Sequence, residues 1–554
     1  MKGKRLNQIL QTLEGIPYVK LKKPFLGEVN IEGTVSIQFE GLSEPLEFNV
    51  TIYSQYPFRT YNTETIKFKN KDYLEYNHVM SDGTICIHTS HNPDITKKLL
   101  IDFESLKNWI EKYYINNNAD THYEHLITRE SDFSGIIMSY IFTDVDYKFY
   151  RNQFGFVNLS LLSEGKNGEK SIHNYLTKSF VNEVGKDLAV CKWSEVYNKF
   201  GRPNHGIFFF AEKQPATHNR FAYTNWEEFV DIFTSDFLKF LHYCQKRYLK
   251  QKRRGQYIPI YIGYKIPNGE IHWLVATLEI GKFPLKGVKE NKVWISKLTN
   301  ENINWATSRN SSYKYFFGRG AFSKKLTEKR ILIIGVGAVG SNVARTLVKC
   351  GCTKIDLTDY DVKEPENVCR AEFQFTSGRT DKVEEMSNIL SQISPFVNIH
   401  TVNQPYFEVI SKAMFRKSKP KDELEGFLNT YDLIFDCSTD DDLMFVLDSL
   451  NLKNDLINMS ITNHAKEFVC AFYPNIYDFV NKQYSDILGN DVEDLYNPTG
   501  CWSPTFRASY NDISMLVQIA LKKINYIYQN DSTKDNFVVK SETTGELNIK
   551  ILQY

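Results

Sequence analysis

The stretch over residues 331–382 constrains the fold of this chain more than any other. An aliphatic run leads into a Gly-x-Gly-x-x-Gly turn, an apolar helical pattern and a second aliphatic run that ends in an acid. Strand, glycine turn, helix, strand and acid is the order of a nucleotide-binding βαβ unit, which predicts a parallel α/β sheet. The residues of this motif are Ile331–Ile334, Gly335, Gly337, Gly340 and Asp359.

The glycine turn predicts a phosphate site. Gly335, Gly337 and Gly340 let the backbone turn tightly and approach a phosphate, and the helix N-terminus offers N–H donors and a positive dipole end. Asp359, at the end of the second strand, is placed to accept hydrogen bonds from ribose hydroxyls. NAD, FAD and ATP can all use such a site, and the alternative without a ligand is a tight strand–helix turn.

Charged residues after the second strand favour ATP. Asp361, Asn367 and Arg370 follow that strand closely, and Lys382 begins a predicted helix. A dehydrogenase needs no extra cations here, because its pyrophosphate rests on the helix N-terminus. An enzyme that breaks the α–β phosphate bond of ATP needs them, together with Mg²⁺, to neutralise the leaving pyrophosphate.

This stretch resembles the adenylation domain of the ubiquitin-activating and ThiF family, with its glycine turn, Asp-x-Asp segment, Asn-x-x-Arg and Gly-x-x-x-Lys motifs. The resemblance implies that ATP binds here and that Arg370 and Lys382 stabilise the leaving pyrophosphate. It also implies that Asp361 and Asn367 belong to the nucleotide site.

A later buried parallel strand, predicted over residues 431–440, ends in acids. In the family an Asp at the end of this strand holds Mg²⁺ beside the ATP phosphates. Here that acid is Asp440 or Asp436. We expect Asp440, because ligand-binding groups gather at the carboxyl ends of parallel strands.

The amino-terminal part resembles the ubiquitin-conjugating fold. Apolar spacing predicts a helix over 6–13, and alternating stretches predict an antiparallel meander after it. A Tyr-Pro-Phe sequence and an irregular loop ending in Gly-x-Ile-Cys follow. In that family the cysteine accepts an acyl group as a thioester and passes it to an amine, and Cys86 lies at this position. The alternative is that Cys86 is a small buried residue.

The loop around Cys86 departs from the family. The His-Pro-Asn motif, whose Asn is thought to support the oxyanion or a nearby loop, is replaced by Tyr-Asn-His ending at His78. We expect His78 to donate a hydrogen bond in place of the Asn. His88 and His91 follow the cysteine, and we expect solvated loop residues there, the alternative being that they tune Cys86.

A second cysteine lies in a segment rich in turn residues near the carboxyl end. Gly and two Pro surround Cys501, which predicts an exposed loop. The Gly-Cys-x-x-Pro-Thr-Phe pattern resembles the catalytic-cysteine region in ThiF-type domains of bacterial conjugation systems. The resemblance implies that Cys501 forms the first thioester.

Length and composition set the domain organisation. At 554 residues the chain has room for about three domains. We expect an α/β protein with a ubiquitin-conjugating-like α+β domain over 1–150, an α+β linker domain over 151–318 and a Rossmann-like ThiF-type adenylation domain over 319–554. A net charge of +1 gives no electrostatic case for binding nucleic acid or membranes. The nine cysteines form no regular disulfide pattern, so we expect a reduced cytoplasmic protein.

The domain order resembles that of the fused activating–conjugating proteins of bacterial CBASS anti-phage operons. The resemblance implies a homodimer formed through the adenylation domain and, as substrate, the C-terminus of the operon's cGAS-like nucleotidyltransferase (CD-NTase). The implied reaction is adenylation of that carboxylate with ATP, thioester formation on Cys501, transfer to Cys86 and ligation to a target amine, usually lysine. Three alternatives stay open: a sulfur-carrier activator in which Cys86 is inert, an NAD-dependent redox enzyme, and a conjugating fold that acts only as a binding module.

Overall fold

The computed structural model describes residues 2–118, 126, 135–290, 293–402, 418–488, 505–542 and 545–554. These residues form mixed α/β structure, as predicted. They divide into two compact units. The first unit comprises the described residues of Met1–Ser131, Phe149–Phe154 and Ile207–Thr307, and the second those of Asp132–Lys148, Gly155–Gly206 and Ser308–Tyr554.

Residues of the predicted linker, 151–318, belong to both units, so the division into three domains stays a prediction. Within the described ranges, no helix is both long and apolar enough to cross a membrane.

The amino-terminal part of the first unit is a helix, a four-stranded antiparallel sheet and a second helix. The first helix and the antiparallel meander follow the order that the apolar spacing predicts. Alternate residues of the third strand are buried, so one face of the sheet packs against the helices. The second helix begins after Asp94, whose carboxylate accepts a hydrogen bond from the Lys97 amide at 2.8 Å. The elements are α1 (Lys2–Glu14), β1 (Val19–Leu26), β2 (Ile31–Ile37), β3 (Leu46–Ile52), β4 (Ile66–Lys69) and α2 (Ile95–Trp109), with a π-helical turn over Ile110–Ile115.

The middle of the chain is rich in strands. Their ranges, and those of two helices, are β5 (Ile136–Phe142), β6 (Phe154–Asn167), β7 (Lys170–Asn182), β8 (Asp187–Val190), α3 (Glu195–Lys199), β9 (Arg202–Glu212), β10 (Ala216–Thr217), β11 (Phe221–Ala222), α4 (Ser235–Lys250), β12 (Tyr257–Lys265), β13 (Ile271–Glu279), β14 (Leu285–Glu290), β15 (Val293–Leu298) and β16 (Thr307–Asn310). In the second unit β7 pairs with β5 in parallel and with β6 and β8 antiparallel. In the first unit β12 pairs with β9 in parallel and with β13 antiparallel.

The carboxyl-terminal part is built on one eight-stranded sheet. Its elements are α5 (Tyr313–Phe316), α6 (Lys324–Thr327), β17 (Arg330–Ile334), α7 (Ala338–Lys349), β18 (Lys354–Thr358), β19 (Val362–Lys363), β20 (Thr380–Asp381), α8 (Lys382–Ile393), β21 (Asn398–Thr401), α9 (Ser418–Leu428), β22 (Leu433–Asp436), α10 (Asp441–Asp448), β23 (Asp455–Ile461), β24 (Glu467–Phe472), α11 (Ile476–Leu488), α12 (Tyr510–Asn530), β25 (Phe537–Glu542) and β26 (Asn548–Gln553). The strand order is β21-β18-β17-β22-β23-β24-β25-β26; the first five strands are parallel and the others antiparallel.

Both faces of this sheet are covered, which explains why its parallel strands read as continuous apolar runs. In β17, Ile331 and Ile333 pack into one core cluster with α7, α8 and α12, and Leu332 and Ile334 pack into another with α9, α10 and α11. The predicted Rossmann-like βαβ unit is therefore present, with the glycine turn between β17 and α7.

Candidate active site

The strand order brings three predicted segments together. Because β17 lies between β18 and β22, the glycine turn, the acid after β18 and the acids after β22 share one edge of the sheet. Two main-chain hydrogen bonds join them: the Gly335 amide donates to the Thr358 carbonyl at 2.7 Å, and the Cys437 amide donates to the Ile334 carbonyl at 2.8 Å.

The three glycines of the turn differ in the space that surrounds them. Gly335 has φ +80°, and a Cβ there would lie 2.8 Å from the Cys437 carbonyl oxygen. A Cβ on Gly340 would lie 1.8 Å from the Gly335 carbonyl oxygen. A Cβ on Gly337 would meet no protein atom within 4 Å, and this residue immediately precedes α7. The protein itself therefore needs the first and third glycines, whereas the middle one leaves open space at a helix N-terminus, which fits a phosphate.

Asp359 ties the glycine turn to β18. Its carboxylate accepts hydrogen bonds from the Val336 amide at 2.7 Å and from the Asp361 amide at 2.9 Å. Burial raises the pKa of Asp359, and the charge of Lys382 and these two hydrogen bonds oppose that rise. Each carboxylate oxygen can accept more than one hydrogen bond, so the predicted ribose contact remains compatible with this geometry and stays a prediction.

Lys382 and Asp361 form an ion pair at this edge. Their Nζ and Oδ2 atoms are 2.5 Å apart, and the Lys382 side chain is 10% exposed against 56% for Asp361. Lys382 is also the first residue of α8, and its amide donates to the Asp361 carbonyl. The acid thus holds the ammonium beside Asp359, where the sequence places a phosphate-binding cation.

Asn367 and Arg370 contact different parts of the protein. Asn367 Oδ1 accepts a hydrogen bond from the Glu364 amide at 3.0 Å and so caps a short 3₁₀ turn. The Arg370 guanidinium donates to the Phe506 carbonyl at 2.7 Å and to Thr505 Oγ1 at 2.9 Å. The contact from Arg370 to the segment that follows Cys501 was not predicted, since 135 residues separate Arg370 from Thr505. Cys501 itself lies outside the described residues.

The two candidate magnesium ligands have unequal surroundings. Asp436 is fully buried, and its carboxylate accepts hydrogen bonds from the Ser438 amide and hydroxyl and from Asn458 Nδ2 at 2.9 Å. Burial raises the pKa of Asp436. Asp440 is half-buried and caps α10 through one oxygen, which accepts from the Leu443 amide at 3.0 Å. This arrangement favours Asp440, whose role as a ligand stays a prediction.

The side chains around Asp440 bear on how a metal would bind there. Across the described ranges, no group of three or more His, Cys, Asp and Glu side chains is arranged to hold an ion. Mg²⁺ commonly binds through one or two carboxylates together with substrate phosphates and water. A single acid beside the glycine turn therefore fits that mode of binding.

Cys86 is partly exposed between two buried neighbours. Ile85 and Ile87 are 2% and 8% exposed and anchor the strand-like segment in the core. The Cys86 amide donates to the His78 carbonyl at 2.7 Å, and Cys86 Sγ lies 3.7 Å from His88 Nε2. The arrangement presents the thiol to solvent beside an imidazole, unlike that of a core cysteine.

His78 contacts Cys86 through its main chain. It has φ +60°, so its carbonyl turns toward the Cys86 amide, and its ring packs against Tyr113 with centroids 4.7 Å apart. The predicted hydrogen bond from the His78 side chain in place of the family's Asn stays a prediction. His91 is exposed, as expected of a loop residue, and its ring centroid lies 6.0 Å from that of Phe58. His88 is exposed too, but it also contacts the thiol.

A buried ionic network lies beneath the loop that follows Cys86. Lys98 Nζ pairs with Asp102 and with Glu64 at 3.1 Å, and it donates to Thr89 Oγ1 at 2.6 Å. Thr89 Oγ1 in turn donates to Asp102 at 2.7 Å, and the Tyr56 hydroxyl donates to the other Asp102 oxygen at 2.8 Å. Burial, followed by the Asp102 charge, raises the pKa of Tyr56, so this hydroxyl stays a donor.

Sequence reasoning missed this network. The available signal was a Lys and an Asp four residues apart on the apolar face of α2.

The cysteines among the described residues differ in burial, and this difference predicts how fast each one reacts in the native protein. We expect iodoacetamide near neutral pH to modify Cys86 and Cys369 at least about 100-fold faster than Cys191 and Cys244, because only thiolates react. Burial raises the pKa of Cys191 and that of Cys244 to about 12. Burial also raises the pKa values of Cys352, Cys437 and Cys470. Peptide mass spectrometry over a time course measures the rates, and equal labelling of Cys86 and Cys191 would contradict the burial assignment.

Comparison with known proteins finds similarity chiefly in the carboxyl-terminal part. Residues 308–490 match the ThiF family. The ATP-dependent ubiquitin transferase-like protein Cap2 of Enterobacter hormaechei subsp. hoffmannii (strain UCI 50) is 23% identical over 378 residues, covering 63% of this chain and 60% of that protein. Ubiquitin-like modifier-activating enzyme 5 of Bombyx mori is 33% identical over 114 residues, covering 21% and 28%.

A solved structure of E. coli MccB with ATP also aligns, with a TM-score of 0.29 and 14% identity, over 41% of this chain and 64% of that one. The chain spans 60% or less of the length of the two curated relatives. The chain thus contains a segment that matches the ThiF family, and part of it is similar to a protein named ubiquitin transferase-like.

Proposed function

We propose that this chain, whose residues 308–490 match the ThiF family, activates a protein carboxylate with ATP and passes the acyl group through two thioesters to an amine. The observation that supports this most is the glycine turn beside Lys382, where Gly337 leaves open space that the protein itself does not require. The match to a protein named an ATP-dependent ubiquitin transferase-like protein supports the same class of reaction.

The first step is adenylation. A carboxylate oxygen attacks the α-phosphorus of ATP, the α–β phosphate bond breaks, and pyrophosphate leaves. The amides at the start of α7 bind phosphate, Asp359 holds the ribose, and Lys382 and Arg370 neutralise the leaving group. Asp361 and Asn367 support these cations and the turn that carries Arg370. Mg²⁺ at Asp440 would supply further charge neutralisation on the phosphates.

The later steps are acyl transfers. The Cys501 thiolate attacks the acyl-adenylate and expels AMP, which stores the energy as a thioester. Cys86 then takes the acyl group, and an amine attacks the Cys86 thioester to form an amide. The partial exposure of the thiol, between buried Ile85 and Ile87, supports this role for Cys86.

The substrate that we propose is the C-terminus of a CD-NTase, with a lysine or another amine as acceptor. The predicted domain order, which resembles that of the fused activating–conjugating proteins of CBASS operons, supports it. We further propose that the protein is cytoplasmic and forms a homodimer through its adenylation domain.

The test is a non-reducing gel after addition of ATP, Mg²⁺ and the CD-NTase. We expect a thiol-sensitive adduct in the wild type, its loss in Cys501→Ala, and accumulation of the upstream thioester in Cys86→Ala. Cys369→Ala is the matched control, because this exposed cysteine has no proposed part in the relay. ATP–pyrophosphate exchange should persist in all four proteins, since adenylation precedes both thioesters.

The other outcomes identify the alternatives. A product unchanged in Cys86→Ala would indicate sulfur-carrier activation. Absence of pyrophosphate exchange, together with quenching of nicotinamide fluorescence, would indicate a redox enzyme.

A further inference from the structure

The thiol of Cys86 and the imidazole of His88 face each other within one loop. Cys86 Sγ and His88 Nε2 are 3.7 Å apart, within the range of a hydrogen bond to sulfur. The two residues alternate around Ile87, which is buried, so both side chains project on the solvent side of the segment. A thiol beside a base is the arrangement that activates a cysteine nucleophile.

Main-chain contacts hold this loop on both sides of the pair. On one side the Cys86 amide donates to the His78 carbonyl at 2.7 Å. On the other side Thr89 is buried, its hydroxyl joins the Lys98–Asp102 network, and its carbonyl accepts a hydrogen bond from Arg59. The backbone before Cys86 and after His88 is therefore fixed, which limits the separation of thiol and imidazole.

His88 also lines a cleft at the protein surface. The cleft has a volume of about 580 Å³ and lies between the end of α1, the loop after Cys86 and α2. Glu104 and Tyr18 also line it, and the Tyr18 hydroxyl lies 3.2 Å from a Glu104 carboxylate oxygen. A carboxylate in the wall favours an ammonium group, the resting form of a lysine acceptor. His88 thus contacts the thiol and also lines the cleft in which an amine would bind.

We propose that His88 is the general base of Cys86, an inference that rests on the proposed function. When Cys86 accepts the acyl group, His88 Nε2 takes the Sγ proton, Sγ bonds to the acyl carbon, and the donor C–S bond breaks. The donor sulfur leaves as a thiolate and takes that proton from His88. An acceptor that arrives as an ammonium first loses one proton to solvent water. The neutral amine then attacks the acyl carbon and passes a second proton to Nε2, the Cys86 C–S bond breaks, and the Cys86 thiolate receives that proton.

Other charged groups surround the pair and enter its pH dependence. The groups are His78, His91 and Asp94 on the same loop, Arg59, Glu64, Lys98 and Asp102 around Thr89, and Tyr18, Glu104 and Lys107 at the cleft. Lys98 is neutralised by two carboxylates, and Arg59 is paired with Glu64 at 2.6 Å. The matched control for His88 is His91, because it is also an exposed imidazole and lies only three residues away.

The first experiment measures the pH profile of Cys86 alkylation by iodoacetamide in the full chain, with peptide mass spectrometry as readout. We expect alkylation of Cys86 near neutral pH to be about tenfold or more slower in His88→Gln than in the wild type, because a neighbouring imidazole assists removal of the thiol proton. His91→Gln should match the wild type. A His88→Gln profile that coincides with the wild-type profile overturns the proposal.

The second experiment measures single-turnover discharge of the Cys86 thioester to lysine. We expect His88→Gln to slow it by about 10² to 10⁴-fold, and His91→Gln to leave it unchanged. Equal rates in the two variants overturn the role in aminolysis. Absence of the thioester in the wild type would instead contradict the proposed function, while the alkylation profile would still decide whether His88 activates Cys86. Amide protection of α2 checks that both variants are folded.

Discussion

Replacing Lys98 with methionine is expected to destabilise the amino-terminal part of the chain by about 3–5 kcal/mol, because it leaves the buried Asp102 carboxylate without its cation, whereas Glu64 keeps its ion pair with Arg59. The Lys98 side chain is 1% exposed, and its partners Asp102 and Glu64 are 0% and 9% exposed. Burial already raises the pKa of Asp102, against the hydrogen bonds from Lys98 and Thr89. Without Lys98 this carboxyl must take up a proton or remain charged in the core.

Hydrogen exchange of the α2 amides measures this effect locally. Protection in Lys98→Met should fall by about 100-fold or more. Lys97→Met is the matched control: its side chain is exposed on the same helix, and we expect a change within about 0.5 kcal/mol. Equal protection in the two variants would show that the network does not stabilise the helix.

Gly340→Ala is expected to abolish ATP binding by deforming the glycine turn. The added Cβ would lie 1.8 Å from the Gly335 carbonyl oxygen, so the turn and α7 must move apart. Overpacking of this kind costs about 1–3 kcal/mol or more. Thermal unfolding should therefore occur at a lower temperature, and equilibrium dialysis should detect no bound ATP.

Gly337→Ala tests ATP binding at the same turn without an expected effect on folding. Its Cβ would meet no protein atom within 4 Å, so we expect wild-type thermal stability. ATP affinity should fall by about tenfold or more, because the methyl group occupies the space proposed for a phosphate. Gly426→Ala, at an exposed position in α9 with equally open surroundings, should leave affinity unchanged. Wild-type affinity in Gly337→Ala would contradict the assignment of the phosphate site.

The parts of the fold that depend on local backbone requirements were predictable from the sequence. The Gly335, Gly337 and Gly340 turn, the apolar strands on either side and the acid at Asp359 lie within one βαβ unit, where spacing alone defines the geometry. The helix and meander before Cys86 were predictable for the same reason, because apolar periodicity distinguishes helices from strands. The chemical roles of Cys86 and Cys501 came from a resemblance and stay predictions.

Tertiary structure decided the contacts between residues that are distant in the chain. The hydrogen bond from Arg370 to Thr505, the ion pair of Lys98 with Glu64 and the burial of Asp436 against Asn458 depend on strand order and helix packing. Periodicity indicates which face of an element is buried but not what lies opposite it. Even for Cys86 and His88, which are two residues apart, the sequence does not give the distance between thiol and imidazole. That distance depends on the network that holds Thr89. Sequence determined the elements and their motifs, and packing determined which side chains meet.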